Sequence, residues 1–166
     1  MHRHYRVGLF ILLAVMGLAL PVGAGSGQVT ARVSLIDQNG QVVYGDWVRV
    51  FLVTAPVDVP ELDLAGAEAV VERTARINTA HMDFFIRFQT QLDQDGYRVD
   101  DKLTRPDGSV AFNQLPPGRY YLVVTFPTMI AGQKAAWQVP VDAVADHTVH
   151  IELDAANMAL RLAPKP

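Results

Sequence analysis

The chain has 166 residues, of which half are hydrophobic and none is cysteine, and its 14 Lys+Arg against 17 Asp+Glu give a formal charge of −3. Without cysteine there is no disulfide, no thiolate nucleophile and no thiolate metal site. Without a Lys/Arg cluster or basic stripe beyond the first residues, neither nucleic acid nor an anionic lipid surface is expected as a partner.

The chain opens with a cationic segment, His2, Arg3, His4 and Arg6. An apolar run of about fourteen residues follows, Val7 to Leu20, then a breaking Pro21 and the small residues Val22-Gly23-Ala24 of a cleavage site. A membrane span needs roughly twenty apolar residues, so residues 1–24 are expected to be a secretory signal peptide, with an uncleaved anchor as the alternative. The absence of cysteine after the run excludes a lipid-modified N-terminus. This reading places the mature chain in the periplasm or outside the cell, with no stable membrane insertion after cleavage. Losing Arg3 and Arg6 and no acid leaves 12 basic against 17 acidic residues, a formal −5. The remaining chain of about 140 residues is long enough to bury one sizeable core unaided.

Val29 to Ile36 alternates Val29, Ala31, Val33 and Leu35 against Thr30, Arg32 and Ser34, the period of a half-buried strand. Asn39-Gly40 then signals a hairpin turn, because both residues tolerate positive φ. A brief strand is expected over Gln41–Tyr44 and a longer one over Trp47–Thr54, ended by Pro56 and Pro60. From Glu61 to Leu92 the period becomes helical, with Gly66 able to split off a short leading turn and leave the helix proper from about Ala67. Val70, Thr74, Ile77, His81, Phe84, Phe85, Phe88 and Leu92 share one stripe, and Glu72→Arg76 and Asp83→Arg87 are acid-to-base pairs four residues apart.

Strand signals resume at Tyr97. Asp107-Gly108 makes a turn, Ser109–Phe112 a short strand and Pro116-Pro117-Gly118 a rigid corner. Arg119–Phe126 alternates as a long strand with Leu122, Val124 and Phe126 inward, and Ala135–Val141 adds another, with Pro140 suited to an edge. His147–Leu153 turns Val149, Ile151 and Leu153 inward, and Met158–Leu162 supplies a last short strand. The spacing predicts a mainly β fold: a seven-stranded Ig-like or transthyretin-like β-sandwich with one long α-helical insertion over about 61–93.

Two segments carry a family resemblance. Leu35-Ile-Asp-Gln-Asn-Gly-Gln-Val-Val-Tyr-Gly45 leads into the second long strand, and Asp107-Gly-Ser-Val-Ala-Phe112 is followed by Leu115-Pro-Pro-Gly-Arg-Tyr120. In these the chain resembles carboxypeptidase regulatory-like, or transthyretin-like, domains over roughly 29–54 and 103–153, with Val110 where an aromatic is usual. The resemblance implies one such domain over 28–162 with a helical insertion at 55–97, where the family has a short connection. It also implies a folding, spacing or binding module rather than an enzyme. Collagen-adhesin B-type domains carry a Lys–Asn isopeptide bond, but residues 28–54 hold no lysine, and that chemistry is rejected.

No catalytic constellation emerges. The serines at 26, 34 and 109 lie on no nucleophile elbow, and His147 and His150 fall on opposite faces of a strand with no third metal ligand. Asp93 to Asp101 lacks the terminal Glu of a calcium loop. No cofactor and no metal are expected. His81 lies inside the apolar stripe near Asn78, as a core histidine or as a ligand or partner contact. Trp47, Trp137, Tyr120 and Tyr121 offer either core aromatics or a sugar platform.

The helix stripe runs about 30 Å, longer than a typical strand of about 17–20 Å. One end should therefore overhang, and the more apolar end carries Phe84, Phe85 and Phe88. The stripe is expected to pack on outward residues such as Tyr121, Val123 and Val50, leaving at least one of those phenylalanines exposed beside His81. Asn78, His81, Phe84, Phe85 and Phe88 are thus the candidate contact residues. The expected function is a non-catalytic exported binding or assembly module, its helical insertion offered to a protein partner in the cell envelope. The alternative is a carbohydrate or small-ligand domain using aromatic strand residues, and the third reading is an enzyme accessory domain.

Overall fold

A computed structural model describes residues 25–160; the expected signal peptide at 1–24 and the end of the Met158–Leu162 strand lie outside them. Eight strands form two four-stranded sheets. In the first, β1 (Gly27–Ile36) lies beside a parallel β10 (Thr148–Leu153). It also pairs antiparallel with β5 (Ser109–Leu115) and, over its last three residues, with β2 (Val42–Tyr44). The second sheet has the order β4 (Arg98–Leu103), β3 (Arg49–Val53), β6 (Gly118–Val124), β9 (Trp137–Ala143). A separate hairpin joins β7 (Met129–Ile130) to β8 (Gln133–Lys134). The expected mainly β sandwich with one helix is present. Its sheets hold eight strands, the brief one expected at Gln41–Tyr44 among them.

The turns form as the sequence chemistry dictates. At 37–41 the Asp37 carboxylate accepts the backbone N–H groups of Asn39 and Gln41, both at 2.8 Å, and Gly40 takes φ +79°. Gly108 takes φ +74°, and a Cβ there would stand 2.4 Å from the Val33 carbonyl oxygen, so β1 and the Asp107-Gly108 turn can meet only over a glycine. The Pro116-Pro117-Gly118 corner is fastened by Tyr120, whose hydroxyl donates to the Pro116 carbonyl at 2.9 Å. Pro140 sits on the edge strand β9, the place in a sheet where proline is tolerated.

Between the sheets lies a core of Val29, Val33, Val50, Leu52, Phe112, Leu122, Val124 and Leu153 around a fully buried Trp137. The Trp137 indole N–H donates to the Asp154 carbonyl at 2.8 Å. Phe126 lies beyond the end of β6 and is only half-buried.

The second sheet is apolar on its other face as well. Phe51 stands opposite Val123 and Val53 opposite Tyr121 in the β3–β6 register. These four residues receive the helix α1 (Val70–Leu92) through Ala80, Phe84 and Phe88. Phe51 and Phe88 meet edge-on with centroids 4.9 Å apart, and Phe88 reaches Tyr97 at 6.3 Å. The molecule is therefore sheet, sheet and helix. Tyr121 and Val123 receive the helix as expected. Val50 does not: it points with Leu52 into the inter-sheet core, and Phe51 and Val53 take the outer face.

The helix begins at Val70 rather than near 61. Asp63 accepts the Ala65 N–H at 2.7 Å, and Gly66 takes φ +73°, a conformation no helix continues. Arg76 secures this lead-in, donating to the Ala65 carbonyl at 3.0 Å while pairing with Glu72 at 2.7 Å. The Asp83–Arg87 pair does not form among the described residues. The overhang is also reversed: Val70 and Val71 are 78% and 81% exposed, while Phe84 and Phe88 are fully buried. Burial of the bulkiest apolar side chains stabilises most, so the phenylalanine end takes the sheet and the valine end projects. At the other end of the chain, Met158 makes a single bridge to Trp137.

Tyr97 packs under Phe88 with its hydroxyl buried and unpartnered among the described residues, and burial raises its pKa to about 12. A buried hydroxyl without a partner destabilises by about 1–3 kcal/mol. Tyr97→Phe is accordingly expected to leave stability unchanged or to raise it by about 1 kcal/mol in urea denaturation. A loss of about 1 kcal/mol or more would show that the hydroxyl has a partner.

Candidate functional site

Among the described residues, two depressions lie along one flank of α1, where it faces the β7–β8 hairpin. Met129 lines both. The helix contributes Thr74, Ile77, Asn78 and His81 to one, and Phe85 and Gln89 to the other. These residues recur at three- and four-residue steps, so they form one stripe beside the buried one.

The first depression is a groove of about 540 Å³ walled by Trp47, Phe51, Phe85, Leu103, Phe126 and Met129, with Asp46, Arg49 and Gln89 among its polar lining. Trp47 is 72% exposed and Met129 is 56% exposed. The loop that carries Trp47 is pinned on both sides by buried Thr104. Its hydroxyl accepts the Val48 N–H at 2.9 Å and donates to the Gly45 carbonyl. Gly45 packs so closely against the core that a Cβ there would meet Val33 at 2.8 Å, so no larger residue fits. Asp46 and Trp47 are therefore pushed outward, and Trp47 takes φ +56°, a left-handed conformation rare for a bulky side chain. Phe85 stands edge-on to Phe126 at 6.0 Å, and the Lys134 amine lies 5.1 Å from the Phe126 ring centre.

The second depression is a cavity of about 490 Å³ between α1, the hairpin and residues 155–160. His81 is 2% exposed and has no hydrogen-bond partner among the described residues. Burial, with the positive charge of Lys134 as a lesser cause, lowers its pKa to about 4. The ring is thus neutral at physiological pH.

The candidate residues divide between these places. Asn78 and His81 line the cavity and Phe85 lines the groove. Phe84 and Phe88 line neither, because both are fully buried against the sheet, and no partner could touch them. Of the aromatic platform, Trp47 alone stands free: Trp137 and Tyr120 are in the inter-sheet core and Tyr121 lies under the helix. Phe126, expected inward, lines the groove instead, while the groove's Met129 and the cavity's Lys134 escaped sequence reasoning, since two-residue strands leave no periodic signal.

The histidines at 147 and 150 stay apart. His150 Nδ1 pairs with Thr30 Oγ1 at 2.5 Å, and His147 Nδ1 lies 2.7 Å from the Ala145 carbonyl. Asp100 and Asp101 are held by Lys102, Arg49 and Arg98. Among the described residues no three metal-ligating side chains come together, and no helix is long and apolar enough to cross a membrane.

No family model matches the sequence, and no curated protein matches it. Solved structures do resemble the fold. A candidate carbohydrate-binding protein from Pseudomonas aeruginosa is 13% identical, covering 79% of this chain and 89% of its own, with a TM-score of 0.43. A minor pilin from Streptococcus agalactiae is 14% identical over 86% of this chain and 47% of its own, with a TM-score of 0.42. A full-length major pilin from Corynebacterium diphtheriae is 11% identical over 78% and 31%, with a TM-score of 0.38.

The His81 environment makes stability depend on pH. The unfolded chain takes up a proton near pH 6.5 that the folded chain refuses until about 4. Stability is therefore complete above about 6.5 and falls as pH drops toward 4, by on the order of 3 kcal/mol in all. Asp37, held low by the Gln41 N–H, and Asp107, held low by Ser109, add their losses only at more acidic pH. Urea unfolding between about pH 7 and 5 should show this slope in the wild type and a much flatter one in His81→Gln. Equal slopes would mean that the ring titrates normally.

Proposed function

We propose that the chain is an exported, non-catalytic binding module of the cell envelope, and that the Trp47 groove receives an apolar segment of a protein partner. The observation that carries this reading is Trp47 itself. It is the most exposed aromatic side chain of the described residues and stands at the mouth of an apolar groove. It is held there in a backbone conformation that costs about 1 kcal/mol or more. Packing at Gly45 and Thr104 turns this loop outward but calls for no indole at its tip; contact with another molecule does. The helical insertion supplies the groove's Phe85 wall, so it serves both as a layer of the fold and as part of the contact surface. The cationic and apolar start of the sequence supports export, and the Asp-Gly and Leu-Pro-Pro-Gly-Arg-Tyr segments support membership of the carboxypeptidase regulatory-like group.

A second reading, carbohydrate binding at the same groove, is favoured by one arrangement. An exposed indole beside Asp46, Arg49 and Gln89 can stack on a sugar face while the polar side chains meet its hydroxyls.

A photo-crosslinking residue at position 47 or 129, in cells carrying the native envelope, is expected to capture one discrete protein. The same residue at exposed Val42, on the far sheet, should capture none. Equal labelling from all three positions would contradict the groove assignment. Glycan-array binding that disappears in Trp47→Ala, without any protein adduct, would replace the first reading by the second.

A further inference from the structure

The His81 cavity is separate from the Trp47 groove and differs in chemistry. Its walls are apolar at Ile77, Met158 and Leu160, and its polar side chains are Thr74, Asn78, His81, Gln133 and Lys134. His81 is almost completely buried, yet no described residue hydrogen-bonds its ring. Tyr97 Oη is the one sealed and unpartnered side-chain atom among the described residues, so the His81 ring nitrogens open onto the cavity, where a ligand group can complete them.

Lys134 narrows the chemistry. Its side chain lines the cavity and its charge is felt at His81, while its amine also lies 5.1 Å from the ring centre of the groove-wall residue Phe126 and makes no ion pair among the described residues. No acidic residue lines the cavity. The site therefore presents one uncompensated positive charge, one neutral imidazole, the uncharged polar side chains of Thr74, Asn78 and Gln133, and an apolar pouch. A single carboxylate matches this set: it neutralises one ammonium and accepts a hydrogen bond from the imidazole N–H. A doubly charged phosphate would leave surplus negative charge against apolar walls. A cavity of about 490 Å³ leaves room for a hydrocarbon chain behind the headgroup.

We propose that this cavity binds an amphipathic monocarboxylate, its carboxylate between Lys134 and His81 and its alkyl chain against Ile77, Met158 and Leu160. The site takes up Asn78 and His81, which the groove does not use. The proposal does not rest on the partner reading.

Decanoate is the probe, titrated into the purified protein by calorimetry, with His81 ring nitrogen signals followed by NMR. Decanoate should bind saturably and shift the His81 signals. Decanol, with the same chain and no charge, and acetate, with the charge and no chain, should each bind at least about tenfold more weakly. Lys134→Gln should weaken decanoate by about tenfold or more, and Lys134→Arg should retain most of the affinity. Trp47→Ala should bind decanoate as the wild type does, so a failure of the groove reading and a failure here are distinguishable. The proposal is overturned if decanoate shows no saturation by about 1 mM. It is equally overturned if decanol matches decanoate, or if Lys134→Gln binds unchanged.

Discussion

The second sheet is apolar on both faces, and the rest of the structure follows from that constraint. In β3 the run Val50-Phe51-Leu52-Val53 has no polar member, and in β6 the run Tyr120 to Val124 alternates only between kinds of apolar residue. An ordinary sandwich sheet turns one such face to its partner and the other to water. Here Val50, Leu52, Leu122 and Val124 fill the inter-sheet core, while Phe51, Val53, Tyr121 and Val123 would face solvent without a third layer. The helix supplies that layer. Phe84 and Phe88 are fully buried in it, and burying a phenylalanine side chain contributes about 1.5–3 kcal/mol.

That docking also creates the groove and the cavity. A helix is about 10 Å across with its side chains, and strands are spaced about 4.8 Å apart, so one helix covers about two of the sheet's four strands. Loops must close the remainder. On the β9 side Gln138 does so in strand fashion: its side-chain amide accepts from the Val57 N–H at 2.8 Å and donates to the Val57 carbonyl at 2.9 Å. Along the flank toward β7–β8 the cover is incomplete, and both the groove and the cavity open there. The two have different characters because Met129 divides them, with Trp47 and Phe126 on one side and His81 on the other.

Much of the strand pattern was legible in the sequence because period-two alternation reports directly on burial. The corner was legible because Pro-Pro-Gly-Arg-Tyr encodes its own fastening, the Tyr120 hydroxyl on the Pro116 carbonyl. The orientation of β3 was not legible. A continuous apolar run carries no alternation, so nothing in it distinguishes Val50 from Phe51 as the inward residue. The start of α1 was misplaced because residues 61–69 compete locally. Asp63 and Gly66 favour turns over helix, and the Arg76 contacts that settle the matter come from two turns further on. The direction of overhang was misread for a different reason: apolarity was taken as a sign of exposure for contact, whereas it selects the end that is buried first. His81 stood out as a polar residue in an apolar stripe, but its want of a partner depends on residues 129–134 and 155–160, far away in sequence.

The central claim, that α1 is a layer of the core and not an appendage, is tested most directly by Phe88→Ala. Phe88 touches both Phe51 of the sheet and Tyr97 beyond the helix. Helix content can be followed by circular dichroism and the inter-sheet core by fluorescence, with Trp47→Phe leaving buried Trp137 as the reporter. With the helix as a core layer, Phe88→Ala lowers stability by about 3–5 kcal/mol, and both signals are lost in one coincident transition. If the helix signal melts first while Trp137 stays native, the helix is an appendage and the three-layer account is wrong.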